Sequence, residues 1–101
     1  ILSPYMTMAF DSTKLARRHL IAAIHPADFT VRPQILKRSQ NRDYFDLIKS
    51  FEAITGVGAL LNTSFNLHGS PIVLGPAEAI HTLKNSGLDG LILDDFLVLR
   101  K

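Results

Sequence analysis

The spacing of apolar residues changes several times along the chain, and each change marks an expected element. Residues 3–10, SPYMTMAF, put Met6, Met8 and Phe10 on one face at period two. That alternation predicts a strand, and Pro4 confines its start to an edge or a first-residue position. Asp11 or Ser12 is placed to cap a short helix ending near His19, with Leu15 inward and Lys14, Arg17 and Arg18 outward. Residues 20–24 are apolar and end before Pro26; they fit a continued helix or a strand, and the strand is preferred. Residues 29–36 alternate around Val31 and Ile35 and predict another strand, with Arg32 and Gln34 on its polar face.

The clearest helix spans residues 42–55, capped by Ser39 or Asn41. Tyr44, Leu47, Ile48, Phe51 and Ile54 form an apolar stripe at helical spacing, read as core packing, and Gly56 suits the position after the helix. Val57, Ala59, Leu60 and Leu61 read as an apolar strand that runs into a polar loop. Pro76 stands at the first position of a helix expected to reach Ser86, with Ala79, Ile80 and Leu83 inward and Gly87 closing it. Two apolar runs, 90–93 and 96–99, flank Asp94–Asp95 and predict a hairpin, although Asp-Asp suits a tight turn less well than Asp-Gly. The order predicts an α/β fold, a mixed twisted sheet with about three helices.

Composition narrows the classes. With 101 residues the chain is read as a single domain over 1–101. It is 47% hydrophobic and 20% charged, a globular balance rather than a disordered one. The net charge of +2 rests on two basic groups, Lys14/Arg17/Arg18 and Arg32/Lys37/Arg38/Arg42, read as solvated surface in preference to a nucleic-acid face. Cysteine is absent, which excludes disulfides, thiol nucleophiles and cysteine-bound metals and suits a reducing cytoplasm. No apolar run reaches the roughly 20 residues that cross a bilayer, and the N-terminus has no signal-peptide pattern. His19, His25, His68 and His81 lack metal-ligand spacing; His25 with Asp28 reads as a turn or a supporting pair.

The chemistry concentrates in residues 60–73, LLNTSFNLHGSPIV. Asn62, Thr63, Ser64 and Asn66 end an apolar strand with short hydroxyl and amide groups, followed by Gly69 and Pro71. Such groups offer neutral donors at short reach, which suits phosphate or a planar carbonyl ligand. The plainer reading is a turn that closes the strand. Arg32 by itself is equally readable as half of a surface ion pair.

The segment NTSFNLHGSPIVLGPAEAI resembles the TSAN-x-SGEP stretch of threonylcarbamoyl-adenylate synthases, the YrdC-like fold. It resembles more closely the C-terminal domain of NodU/CmcH-type O-carbamoyltransferases. That likeness covers essentially the whole chain: SPYM near the start, His25 and Asp28 before TVRPQ, Thr55-Gly56 before LLNTSFN, and SGLDGLIL near the end. The resemblance implies a partial YrdC-like fold and a C-terminal part of a longer enzyme. In such an enzyme the YrdC-like part makes carbamoyl-adenylate from carbamoyl phosphate and ATP. An N-terminal transferase domain of the same chain then passes the carbamoyl group to a hydroxyl, and any divalent metal belongs to that domain. The family's biosynthetic settings include nodulation factors and antibiotics.

Carried over by position, the resemblance implies that Arg32, Asn62, Ser64, Asn66 and Gly69 bind nucleotide or carbamoyl phosphate. Arg32 matches the arginine of the preceding strand, and Ser64 and Asn66 match the family's Ser-x-Asn. The residue types fit: a guanidinium grips phosphate bidentately, a hydroxyl and an amide address phosphate or carbamoyl oxygens, and glycine permits close approach. Ser64 is a binder here rather than a nucleophile, with no base beside it in sequence. The family's upstream Lys-x-Arg pair lies outside this sequence, and His68-Gly69-Ser70 replaces the usual Gly-Glu, so the isolated chain is expected to lack catalysis. The alternatives are a non-catalytic ligand- or partner-binding module of YrdC-like fold and a threonylcarbamoyl-adenylate synthase relative.

Overall fold

Two prolines limit the first sheet. Strands β1 (Phe10–Asp11) and β2 (Thr30–Val31) pair antiparallel, Phe10 opposite Val31 and Asp11 opposite Thr30. The strands expected over 3–10 and 29–36 therefore shrink to two residues each. Their outer parts still lie side by side: the Ser3 hydroxyl donates to the Pro33 carbonyl (2.9 Å), the Ile35 amide donates to the Ser3 carbonyl (2.7 Å), and Gln34 Nε2 donates to the Pro4 carbonyl (3.1 Å). Pro4 and Pro33 carry no N–H, so the ladder lapses around them.

These segments belong to the first of two compact units, Ile1–Asn62 and Thr63–Lys101. The structure, a computed structural model, describes residues 3–101. Within the first unit, helix α1 (Lys14–His19) is capped by Thr13, whose hydroxyl accepts from the Ala16 amide at 3.1 Å. Asp11 and Ser12 do not cap it; the buried Ser12 hydroxyl accepts from Arg17 Nε at 2.9 Å instead. Leu15, expected inward, is exposed. Residues expected as a strand after α1 form a 3₁₀ turn over Ile21–Ala23. The helix tightens there rather than stopping, as helix ends commonly do.

Helix α2 (Arg42–Thr55) has the predicted bounds. Asn41 Oδ1 accepts from the Tyr44 amide at 3.0 Å, and Gly56 ends the helix at φ 75, a left-handed conformation that glycine takes without strain. Its apolar stripe is not a core. Tyr44, Leu47, Phe51 and Ile54 are all exposed, Ile54 at 85%, and among the described residues no helix or strand packs closely on α2. Val57 to Leu61, expected as a strand, finds no ladder partner among the described residues. An extended segment is a strand only where a second one satisfies its amides and carbonyls.

The second unit packs more tightly. Helix α3 (Pro76–Lys84) begins with Pro76 after Gly75 and ends at Asn85, slightly short of the expected Ser86–Gly87. Strands β3 (Gly90–Leu93) and β4 (Phe96–Leu99) form the predicted hairpin, with Leu93 opposite Phe96 and Asp94 at φ 51 in the turn. Aspartate tolerates that left-handed value better than most residues. Helix α3 lies on β3 and buries Ala79, Thr82 and Leu83, while Ile80 stays half open. Burying a leucine as fully as Leu83 contributes on the order of 2 kcal/mol. Among the described residues the fold is thus α/β with three α-helices, its strands shared between two small antiparallel sheets.

Candidate functional site

In the second unit the predicted loop is knitted by one side chain. The Ser64 hydroxyl donates to Asn66 Oδ1 at 2.6 Å, and Asn66 Nδ2 donates to the Leu67 and Ser70 carbonyls at 2.9 and 3.0 Å. The Val73 amide donates to the Phe65 carbonyl at 2.9 Å, and the Ser70 amide to Leu67 at 3.0 Å. Asn66 thus spends both amide hydrogens inside the loop, while Ser64 Oγ keeps its lone pairs and remains exposed. Gly69 turns the chain at φ 81, and nothing lies within 4 Å of where a Cβ would stand. The backbone conformation, not crowding, calls for glycine there.

In the first unit a groove of about 1740 Å³ is bounded by residues of the 20–36 segment, by α2 and by the stretch from Val57 to Asn62. Arg32 and Asn62 both line it. Each of the two units therefore holds part of the predicted set: Arg32 with Asn62 in one, Ser64 with Asn66 and Gly69 in the other.

Within their basic group Arg32 and Lys37 have no carboxylate partner among the described residues, and of these two Arg32 lines the groove. Asp46 takes Arg38 in a two-pronged pair, 3.0 Å on each oxygen, and Arg42 reaches it at 3.7 Å. The Arg38 guanidinium hydrogen bonds hold the Asp46 carboxyl below its ordinary range and push the Arg38 pKa up. Arg17 stacks 4.6 Å over the Phe29 ring. Among the described residues Arg32 enters neither the ion pairs that join Arg38 and Arg42 to Asp46 and Lys49 to Glu52, nor the close contact of His25 with Asp28. An exposed guanidinium on a groove wall, without a carboxylate partner, is equipped to receive an anion.

Next to it, the turn 25–30 presents a His–Asp pair. His25 Nδ1 lies 3.3 Å from Asp28 Oδ1. Hydrogen bonds from the Thr30 amide (3.0 Å) and hydroxyl (2.8 Å), with His25 nearby, hold the Asp28 carboxyl below its ordinary range. Sequence reading found this pair but not its support by Thr30. It also missed the stapling role of Asn66, because the Leu67 and Ser70 carbonyls that fix it carry no side-chain signature. Among the described residues no three His, Cys, Asp or Glu side chains gather as a metal site, and no helix is long and apolar enough to cross a membrane.

Known proteins resemble the chain over nearly its whole length. Nodulation protein NolNO of Sinorhizobium fredii is 38% identical over 97% of this chain and 14% of its own length. Nodulation protein NolO of Bradyrhizobium diazoefficiens is 40% identical over 85% of the chain and 16% of its own. An uncharacterised protein of Methanocaldococcus jannaschii is 40% identical over 96% of the chain and 16% of its own. The chain thus spans about one-sixth of the length of the curated relatives it matches. Residues 1–100 match the family described as Carbamoyltransferase C-terminus, and the chain belongs to that family.

Proposed function

We propose that the chain is the C-terminal portion of an ATP-dependent O-carbamoyltransferase and contributes to the site where carbamoyl phosphate and ATP give carbamoyl-adenylate. The carbamoyl group then passes to a hydroxyl acceptor on an N-terminal transferase domain of the same polypeptide, which also supplies any divalent metal. The nodulation names of two relatives suit a biosynthetic acceptor. A reducing, cytoplasmic setting suits the cysteine-free sequence.

The observation that carries this reading is Arg32, a guanidinium with no ion-pair partner among the described residues, on the wall of a groove in a member of this family. Water cleaves carbamoyl phosphate to carbamate and inorganic phosphate; a carbamate oxygen then attacks the α-phosphorus of ATP, pyrophosphate leaves, and negative charge grows on the phosphoryl oxygens. A protein catalyses such a step by positioning and charge stabilisation. Arg32 supplies a permanent, two-pronged cation, and Asn62 supplies an amide on the same groove. In the other unit, Ser64 Oγ and the backbone around Gly69 form a second recognition element, held in shape by Asn66.

Full-length protein given ATP and carbamoyl phosphate is expected to release pyrophosphate, and ATP alone is not. Arg32→Ala and Ser64→Ala are each expected to reduce that release. If the wild type releases none, and neither substitution alters ligand binding, the reading is lost.

A further inference from the structure

Phosphate recognition leaves the His25–Asp28 pair unused. One carboxylate oxygen, Asp28 Oδ1, takes the Thr30 amide, the Thr30 hydroxyl and the close approach of His25 Nδ1. The backbone closes around it: the His25 amide donates to the Thr30 carbonyl and the Phe29 amide to the His25 carbonyl, both at 2.9 Å. Phe29 adopts φ 57, a left-handed value that bulky residues rarely accept, so the surrounding bonds hold the turn against its local preference.

The tautomer follows from the partner. The 3.3 Å contact lacks hydrogen-bond alignment, but an ionised carboxylate only accepts, so its charge favours the tautomer with hydrogen on the facing Nδ1. In neutral imidazole the lone pair then sits on Nε2, at the far side of the ring from Asp28. His25 and Asp28 line the same groove as Arg32, which lies two positions beyond Thr30. The His25 side chain is 63% exposed, and among the described residues no hydrogen bond occupies Nε2.

Carbamoyl phosphate has two chemically different ends. Its phosphate matches a guanidinium; its terminal NH₂ needs an acceptor, which a cation cannot be. We propose that His25 Nε2 accepts a hydrogen bond from the carbamoyl NH₂ of carbamoyl phosphate, with Asp28 as the positioning residue that sets the ring's tautomer. The turn then selects a carbamoyl group over an acyl group. This rests on the carbamoyl phosphate reading above and names a residue for its specificity; no bond forms or breaks in it.

Calorimetry on the full-length protein tests it, with carbamoyl phosphate, acetyl phosphate (methyl in place of NH₂) and inorganic phosphate as probes. The wild type is expected to prefer carbamoyl phosphate. His25→Ala weakens carbamoyl phosphate about tenfold, the loss of one hydrogen bond, and leaves the other two ligands unchanged, which also reports an intact fold. His25→Gln, whose amide oxygen can accept, recovers part of the preference. Asp28→Asn erodes the preference in the same direction, and the ¹⁵N resonances of His25 shift from the Nδ1–H toward the Nε2–H tautomer. If His25→Ala weakens all three ligands alike, or leaves the preference intact, the assignment is overturned while the wild type's carbamoyl phosphate binding preserves the broader reading. A wild type that binds no carbamoyl phosphate removes both.

Discussion

The two units of this chain solve the same problem with different means. Unit Thr63–Lys101 folds a helix onto a hairpin that follows closely in sequence, and buries Ala79, Thr82 and Leu83 in doing so. Unit Ile1–Asn62 has Ile24 as its buried apolar side chain among the described residues, two-residue strands and a long amphipathic helix with an exposed apolar face. Ordinary polar bonds hold much of it: Ser3 to Pro33, Arg17 to Ser12, Arg38 to Asp46. One region is specified by local packing. The other is specified by capping, prolines and hydrogen bonds, and keeps a groove open where Arg32 stands without an ion-pair partner among the described residues.

The contrast can be broken most visibly at Arg32. Arg32→Ala in the full-length protein is expected to lower carbamoyl-phosphate-dependent pyrophosphate release about a hundredfold, as removal of a charge-stabilising donor does, and Arg32→Lys to recover only part of it. Ser64→Ala, which leaves the Asn66 bonds to Leu67 and Ser70 in place, should cost about tenfold. Equal effects at the two positions would erase the distinction between a charged and a neutral recognition element. The isolated 101-residue chain is expected to release no pyrophosphate at all.

Packing offers a second test. Leu83 is 4% exposed and Leu47 50%. In the isolated chain, Leu83→Ala should lower unfolding stability by about 2–3 kcal/mol in chemical denaturation, and Leu47→Ala by less than about 0.5 kcal/mol. A large loss at Leu47 would mean that the α2 stripe is packed after all. At the loop, Gly69→Ala is expected to cost about 1 kcal/mol through its left-handed backbone alone, read as faster amide exchange at Val73.

The smallest effect is one of pH. Asp28 titrates below the ordinary carboxylate range because Thr30 bonds its charged form, so its contribution is present above that range. It is lost as pH falls through the depressed folded value. The Thr30 amide resonance should therefore stay constant around neutrality and move only in strongly acidic solution. Movement near neutral pH would assign the turn's order to another group.

How much was legible follows the same division. Helix α2, helix α3 and the hairpin appear at or near their predicted bounds because Asn41, Gly56, Pro76 and the 93–96 turn are local instructions. The strands over 3–10 and 29–36 read well as patterns, yet alternation says which face a residue takes, not whether its neighbour can donate; Pro4 and Pro33 withhold those donors. The stripe of α2 was legible as amphipathic but not as exposed, since a helical period reports an apolar face and not its covering. At the candidate site, the residue types of Ser64, Asn66 and Arg32 stand out in sequence. That Asn66 is spent on Leu67 and Ser70, while Asp46 occupies Arg38 and not Arg32, does not.

By itself the amino-acid sequence determined the bounds of α2, the start of α3, the hairpin, the cysteine-free chemistry and the family. Only the tertiary structure decided which polar groups are already satisfied and which stay available, because hydrogen-bond saturation depends on what folding brings within 3 Å of each side chain. The carbonyls that bind Asn66 and the carboxylate that claims Arg38 are of that kind. So is the turn that sets His25 against Asp28.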